Sequence, residues 1–254
     1  MRTFQQGISK EQLVNNLKAH QKADEFIQGR YWRYGKGCAV GCSIIDFEGC
    51  PEEHSEFERL FGIPQPLARL EDGIFEGLSI EDSKWWPVAF AEAVPIDADL
   101  SMVLPKFMVW LLEGVKHYAK PDGVKAIDRV IELYKLKITG ENPERELWIE
   151  ARKAAADAAS DAAAAAASDA ASDAAYAAYA ADAAYAAYAD AAYAAAYAAY
   201  AAYADAADAA YAAYAAYAAS DAAAAASDAS AAAAVRQQKR KEQADKLIEL
   251  LKAV

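Results

Sequence analysis

Three observations predict an all-α protein. Apolar residues recur at helical spacing through much of the first 145 positions. No glycine or proline follows Pro143, and 55 of the 84 residues from Ala151 to Ala234 are alanine. Alanine is the best helix former, whereas Gly and Pro cost about 1 and about 3 kcal/mol in a helix interior. The chain therefore reads as a helical globular domain over 1–145, an Ala/Tyr/Asp repeat segment over 146–234 and a short C-terminal amphipathic helix over 235–254.

Ser9 with Gln12 three positions on makes a capping box. Leu13, Leu17 and Phe26 fit one buried face of the helix that follows, with Gly29 as its end. Pro64 and Pro66 open a second segment, in which Leu67, Leu70, Ile74, Phe75 and Leu78 recur at helical spacing up to Gly77. Arg69, Glu71, Asp72 and Glu76 read as the polar positions between them. From Leu100 to Leu112 the chain is apolar nearly all round, with Pro105 suited to a first turn. Thirteen residues fall short of the about 20 that a bilayer span needs, so this is a central buried helix. Pro121 and Asp122 start a further amphipathic helix carrying Val124, Ile127, Val130, Ile131 and Tyr134, and Gly140 and Pro143 close the domain.

The repeat segment holds eleven of the fifteen tyrosines. Large side chains step mainly by three: Asp173, Tyr176, Tyr179, Asp182, Tyr185, Tyr188, then Tyr197, Tyr200, Tyr203, and later Tyr211, Tyr214, Tyr217. Each step falls about 60° short of a full turn, so the side chains spiral round a helix. A coiled coil needs a 3.5-residue seam, which this pattern does not supply. One continuous helix over 151–234 would reach about 126 Å. Such a rod presents tyrosine ridges on several sides, and these tyrosines, with Tyr193, are the candidate self-association residues. Ser-Asp pairs at 160–161, 168–169, 172–173, 220–221 and 227–228 offer N-caps for shorter, antiparallel helices instead. A weakly selected spacer is the plain alternative. The final segment carries Leu247, Ile248, Leu250, Leu251 and Val254 beside basic residues, a face for docking on the first domain or on a second copy.

Charge divides along the same boundaries: −7 over 1–150, −8 over 151–234 and +3 over 235–254, for a net −12. That acidic balance argues against nucleic acid as the main ligand. The longest charge-free Ala/Tyr run, Ala191 to Ala204, is too short for a membrane span. No basic head with an apolar core opens the chain, so no secretory signal is expected. Three cysteines, all before residue 51, do not make a disulfide framework. A cytoplasmic setting is the expectation.

Gly35-Lys36-Gly37-Cys38-Ala39-Val40-Gly41-Cys42-Ser43 is the most distinctive stretch. It lacks the Gly-Lys-Ser/Thr of a P-loop and the glycine spacing of a dinucleotide fingerprint. The simple reading is a short helix whose small residues allow close approach, with its cysteines buried as small hydrophobes. The catalytic reading makes Cys38 or Cys42 a nucleophile with His54 or His117 as base. For His54, amid Glu52, Glu53 and Glu56, a solvated surface position is expected. Cys38, Cys42, Cys50 and His54 do not match a zinc spacing, so no metal is expected, and no cofactor either. Arg30, Trp32, Arg33, Tyr34 and Lys36 make the one local cluster suited to a small anion or nucleotide, by stacking and phosphate pairing. The competing reading has those aromatics packed inward and the cations paired with acids.

The combination of Gly35–Cys42, His54 with Leu60-Phe-Gly-Ile-Pro64, Leu67-Ala-Arg-Leu-Glu-Asp-Gly-Ile-Phe-Glu-Gly-Leu78 and a closing Ala244–Leu251 helix resembles a group of uncharacterised phage and bacterial proteins. The resemblance spans nearly the whole chain, Ala/Tyr/Asp-rich tail included. It implies a phage or mobile-element origin and action on a host or defence component, but no catalytic residues. Together these readings lead to a non-enzymatic interaction protein that self-associates as a homo-oligomer through its tyrosines. A small-molecule sequestering protein and a cysteine-dependent enzyme are the alternatives.

Overall fold

The computed structural model describes residues 2–119, 121–155, 157 and 229–254, and these are mostly helical. Helix α1 (Lys10–Lys22) starts at the expected capping box. The Ser9 hydroxyl accepts from the Gln12 N–H at 3.1 Å, and the Gln12 carboxamide accepts from the Ser9 N–H at 2.8 Å. The helix is shorter than the sequence suggests. It ends at Lys22, capped by Ala23, and Asp24 turns the chain with a φ of 55°. Phe26 still reaches the core, but from the loop, where it bridges Gly37. Gly29 belongs to that loop and not to the helix end.

One two-stranded antiparallel ribbon interrupts the helices among the described residues: β1 (Trp32–Arg33) and β2 (Lys36–Gly37), with Trp32 opposite Gly37. Tyr34 and Gly35 join them with φ values of 56° and 75°. Two successive positive-φ residues match the twist of a tight hairpin. From β2 the chain enters α2 (Ala39–Ile44), entirely buried. Two of the three glycines of the distinctive stretch are explained by one neighbour. A Cβ at Gly37 or at Gly41 would overlap the Tyr31 carbonyl. The close approach is therefore made by the ribbon's own backbone, not by a second helix.

Helix α3 (Ser55–Phe61) ends at Gly62 in the left-handed region, and α4 (Gln65–Gly77) follows with Pro66 in its first turn. Leu67, Leu70, Ile74 and Phe75 of α4 are buried, as their spacing requires. Gln28 closes its far end by donating to the carbonyls of Phe75 and Leu78 at 2.7 and 2.9 Å, two groups a helix terminus leaves unpaired. Short α5 (Ile80–Ser83) and α6 (Trp86–Ala93) lead to α7 (Val103–Val115), a 3-10 turn at Lys116–Tyr118 and α8 (Pro121–Ile138). Residues 145–155 form α9, and α10 (Ala229–Lys252) begins in the last residues of the repeat segment and runs through the C-terminal helix.

Helix α7 packs on α8, α1 lies on α6, and α2 and α3 lie on α4. Trp86 is fully buried at the centre, and its indole N–H donates to the Glu71 carbonyl at 3.0 Å. The last helix, α10, packs across α4, α6 and α7. Ala244, Leu247 and Leu251 are its buried residues, joined by Arg240 and Gln243, which hydrogen-bond to each other at 3.0 Å. Burying each leucine is worth about 1.5–3 kcal/mol. On the other side of the repeat, Trp148 meets Tyr134 edge-on at 5.0 Å, and Ala151 and Ala155 are buried. Both flanks of the repeat are thus rooted in one core. The rod and hairpin readings, and Tyr176 through Tyr217, lie outside the described residues. No helix among the described residues is long and apolar enough to cross a membrane.

Candidate functional site

Helices α2 and α4 and the ribbon bring together most of the chain's unusual polar chemistry. Cys38 caps α2, and its N–H donates to the carbonyls of Arg30 at 2.7 Å and Tyr31 at 3.1 Å. Those bonds fix the cysteine at the ribbon's base, facing α4. Asp72 and Glu76 are four apart on α4 and therefore share a face. The Cys38 Sγ and a carboxylate oxygen from each of Asp72 and Glu76 lie within 4.8 Å of one another. Access is graded: Cys38 is buried, Asp72 intermediate and Glu76 exposed.

His54, at the start of α3, completes the group. Its Nε2 stands 3.1 Å from Asp72 Oδ2, within hydrogen-bonding distance. Tyr31 meets the imidazole edge-on at 5.6 Å. The histidine is 9% exposed. The solvated position expected from its acidic neighbours is therefore corrected: Glu52, Glu53 and Glu56 flank it in sequence, but the ring turns inward between the ribbon and α4.

Glu71 is the residue that sequence reasoning missed. It is 1% exposed, and neither carboxyl oxygen has a hydrogen-bond partner. A signal was there, because Leu67 lies four positions before it, Ile74 three after and Phe75 four after. That spacing puts Glu71 on the buried face.

Electrostatics follow from this crowding. Burial, then the charges of Asp72 and Glu76, push the Glu71 carboxyl well above the usual range. Glu76 is pushed up to about 7 by burial, against the Gly29 N–H that donates to it at 2.7 Å. Burial raises the Cys38 thiol strongly, helped by the Asp72 charge, and burial raises Cys42 likewise. Both thiols are therefore held protonated, the opposite of an activated nucleophile. His117 lies on the turn after α7, away from the ribbon in the chain order.

The anion-binding candidates do not converge. Trp32 turns inward, edge-on to His20 at 5.4 Å. Arg33 stacks over the Tyr34 ring at 4.9 Å and donates to its hydroxyl, while Lys36 stands 3.8 Å from Asp24. Arg30 is exposed, and its carbonyl is taken by Cys38. A second polar group lies below the ribbon. His20 Nδ1 is 2.5 Å from Glu25 Oε2, and Nε2 is 3.0 Å from Asp46 Oδ2. This buried histidine ties α1 to the segment after α2.

No known protein family matches the chain, and neither the curated proteins nor the solved structures give a match.

Proposed function

We propose that the protein is a non-enzymatic interaction protein that self-associates through the tyrosines of its repeat. The observation that carries this reading is the double rooting of the repeat. Trp148, Ala151 and Ala155 fasten its beginning, and Arg240, Ala244, Leu247 and Leu251 fasten the helix that follows it. The described residues on either side of the repeat thus both pack into the head. The repeat's eleven tyrosines are the side chains able to drive association, since alanine alone buries little area per residue and aromatic pairs add about 0.5–1.5 kcal/mol each. The resemblance to phage and bacterial proteins supports a host or defence component as the further partner. The protonated, buried state of Cys38 and Cys42 disfavours the cysteine-enzyme reading, and the divergence of Arg30, Arg33 and Lys36 disfavours the nucleotide one.

The test replaces all eleven repeat tyrosines by alanine, which keeps helix propensity and both anchors. Sedimentation velocity of the full chain is expected to give a defined oligomer, and the replaced chain a monomer with an unchanged near-ultraviolet signal from its tryptophans. A monomeric parent, or an oligomer that survives the replacement, would falsify the proposal.

A further inference from the structure

We propose that Glu71 is a pH-sensitive latch: as a neutral acid it lets α2 and the ribbon close on α4, and as an anion it releases them. The latch is independent of the repeat and of self-association. Glu71 is 1% exposed, and neither side-chain oxygen has a hydrogen-bond partner among the described residues. Native interiors seldom leave buried polar atoms in that state. An ionised carboxylate costs far more there than a neutral one, because nothing replaces its water. Leu67, Leu70, Ile74 and Phe75 share the buried side of α4 with it, and its backbone carbonyl accepts from the Trp86 indole N–H. The Glu71 charge acts on both Cys38 and Cys42, so it lies on the side of α4 that α2 covers.

The ionisable groups on the surrounding elements do not favour the anion. Burial, then the like charges of Asp72 and Glu76 on α4, hold the carboxyl well above its ordinary range. Arg69, two positions earlier, lies about 200° round the helix, and its charge acts on Tyr31. From α3, His54 stands within hydrogen-bonding distance of Asp72. Helix α2 brings the thiols of Cys38 and Cys42, and the acids acting on Cys42 are Glu25 and Asp46. Helix α6 contributes Trp86, and α10 places Arg240 against Gly77, six residues or about 9 Å further along α4.

Helix α2 has only six residues, and the Cys38 N–H ties it to the ribbon through the Arg30 and Tyr31 carbonyls. The two therefore lift as one unit. Lifting lets water reach the carboxyl, which then ionises at its ordinary value of 4.5. The closed state keeps a proton that the open state releases. Closure is thus at full strength below that ordinary value and is lost as pH rises towards the raised value. For one proton, the opening constant rises by up to about tenfold per pH unit in that window. Glu76 adds a second proton in the lower part. Burial pushes it up to about 7, and its bond from the Gly29 N–H breaks in the same opening.

The experiment follows amide hydrogen exchange in the full chain from about pH 5.5 to about pH 8, corrected for the intrinsic effect of pH on exchange. Thiols and Tyr31 ionise above that range, their ordinary values being 9.0 and 10.0. Protection of the α2 amides is expected to fall by at least about tenfold more than that of the α8 amides. In Glu71→Gln the remaining fall should level off near pH 7, where Glu76 has ionised. Glu71→Met, similar in length and without a titrating group, should behave in the same way. Glu76→Gln should keep the Glu71-dependent fall and lose only the part below about pH 7. Protection of α2 that does not change with pH in the parent chain would overturn the proposal. So would an equal fall in α2 and α8, or a parent-like fall in both Glu71 variants.

Discussion

The guanidinium of Arg240 lies against the backbone of Gly77, so closely that a Cβ at Gly77 would overlap the arginine Nε. This contact joins the end of α4 to the helix that follows the repeat, and it needs a residue without a side chain. Gly77→Ala must push Arg240 out of its buried position. Such overpacking typically costs about 1–3 kcal/mol. The expected result is a lower urea midpoint with faster proteolysis within α10; an unchanged midpoint would show that the arginine yields freely.

Two glycines of the head make a matched pair. A Cβ at Gly41 would collide with the Tyr31 backbone, whereas one at Gly114 meets nothing within 4 Å. Gly41→Ala should therefore prevent a stable head from forming. Gly114→Ala, inside α7, should raise stability by up to about 1 kcal/mol through helix propensity. Thermal melts of the two variants check both signs.

Thiol reactivity should split one against two. Cys50 is exposed, and Cys38 and Cys42 are buried. In the native chain one thiol should react promptly with Ellman's reagent, and all three should react after unfolding. Prompt labelling of Cys38 or Cys42 would revive the nucleophile reading.

The first anchor of the repeat rests on Trp148 against Tyr134. Trp148→Ala should destabilise the head by about 3–5 kcal/mol, the usual loss for a buried large aromatic. Equilibrium unfolding in urea measures it, and a loss below about 1 kcal/mol would mean that this joint does not hold the repeat's beginning.

Tyr134 also sets an alkaline limit. Burial raises its hydroxyl well above the ordinary value of 10.0. The folded state keeps a proton that the unfolded state releases, so stability falls as pH rises past that ordinary value. Tyr134→Phe should flatten the decline between about pH 9.5 and 11. Tyr31, also raised mainly by burial, accounts for part of what remains. An identical pH profile in the variant would refute the assignment.

Sequence periodicity located α4 and α8 because each buries a continuous stripe, and α7 was found from its apolar composition, although the helix runs over Val103–Val115 and not from Leu100 to Leu112. It failed at the end of α1, where Phe26 continues the apolar spacing although the chain has already turned at Asp24. The ribbon was not legible at all. Strands of two residues carry no alternation, and the Tyr34-Gly35 turn lacks the Asn-Gly signature. At the site, the sequence singled out Cys38 and His54 but joined them to nearby cysteines. Their actual neighbours lie on α4, beyond any local ligand spacing, and only the packing of α2 on α4 unites them. Glu71 was legible in principle, since its helical position is internal, but charge alone suggested the surface.

The docking of α10 bears on how the molecule is made. The surface that α4, α6 and α7 present to Leu247 and Leu251 is synthesised long before those leucines. During translation that surface stays uncovered while the whole repeat is added. A product that stops within the repeat carries a head with an open apolar face, prone to aggregation. Completion of the head thus reports that the repeat has been read through.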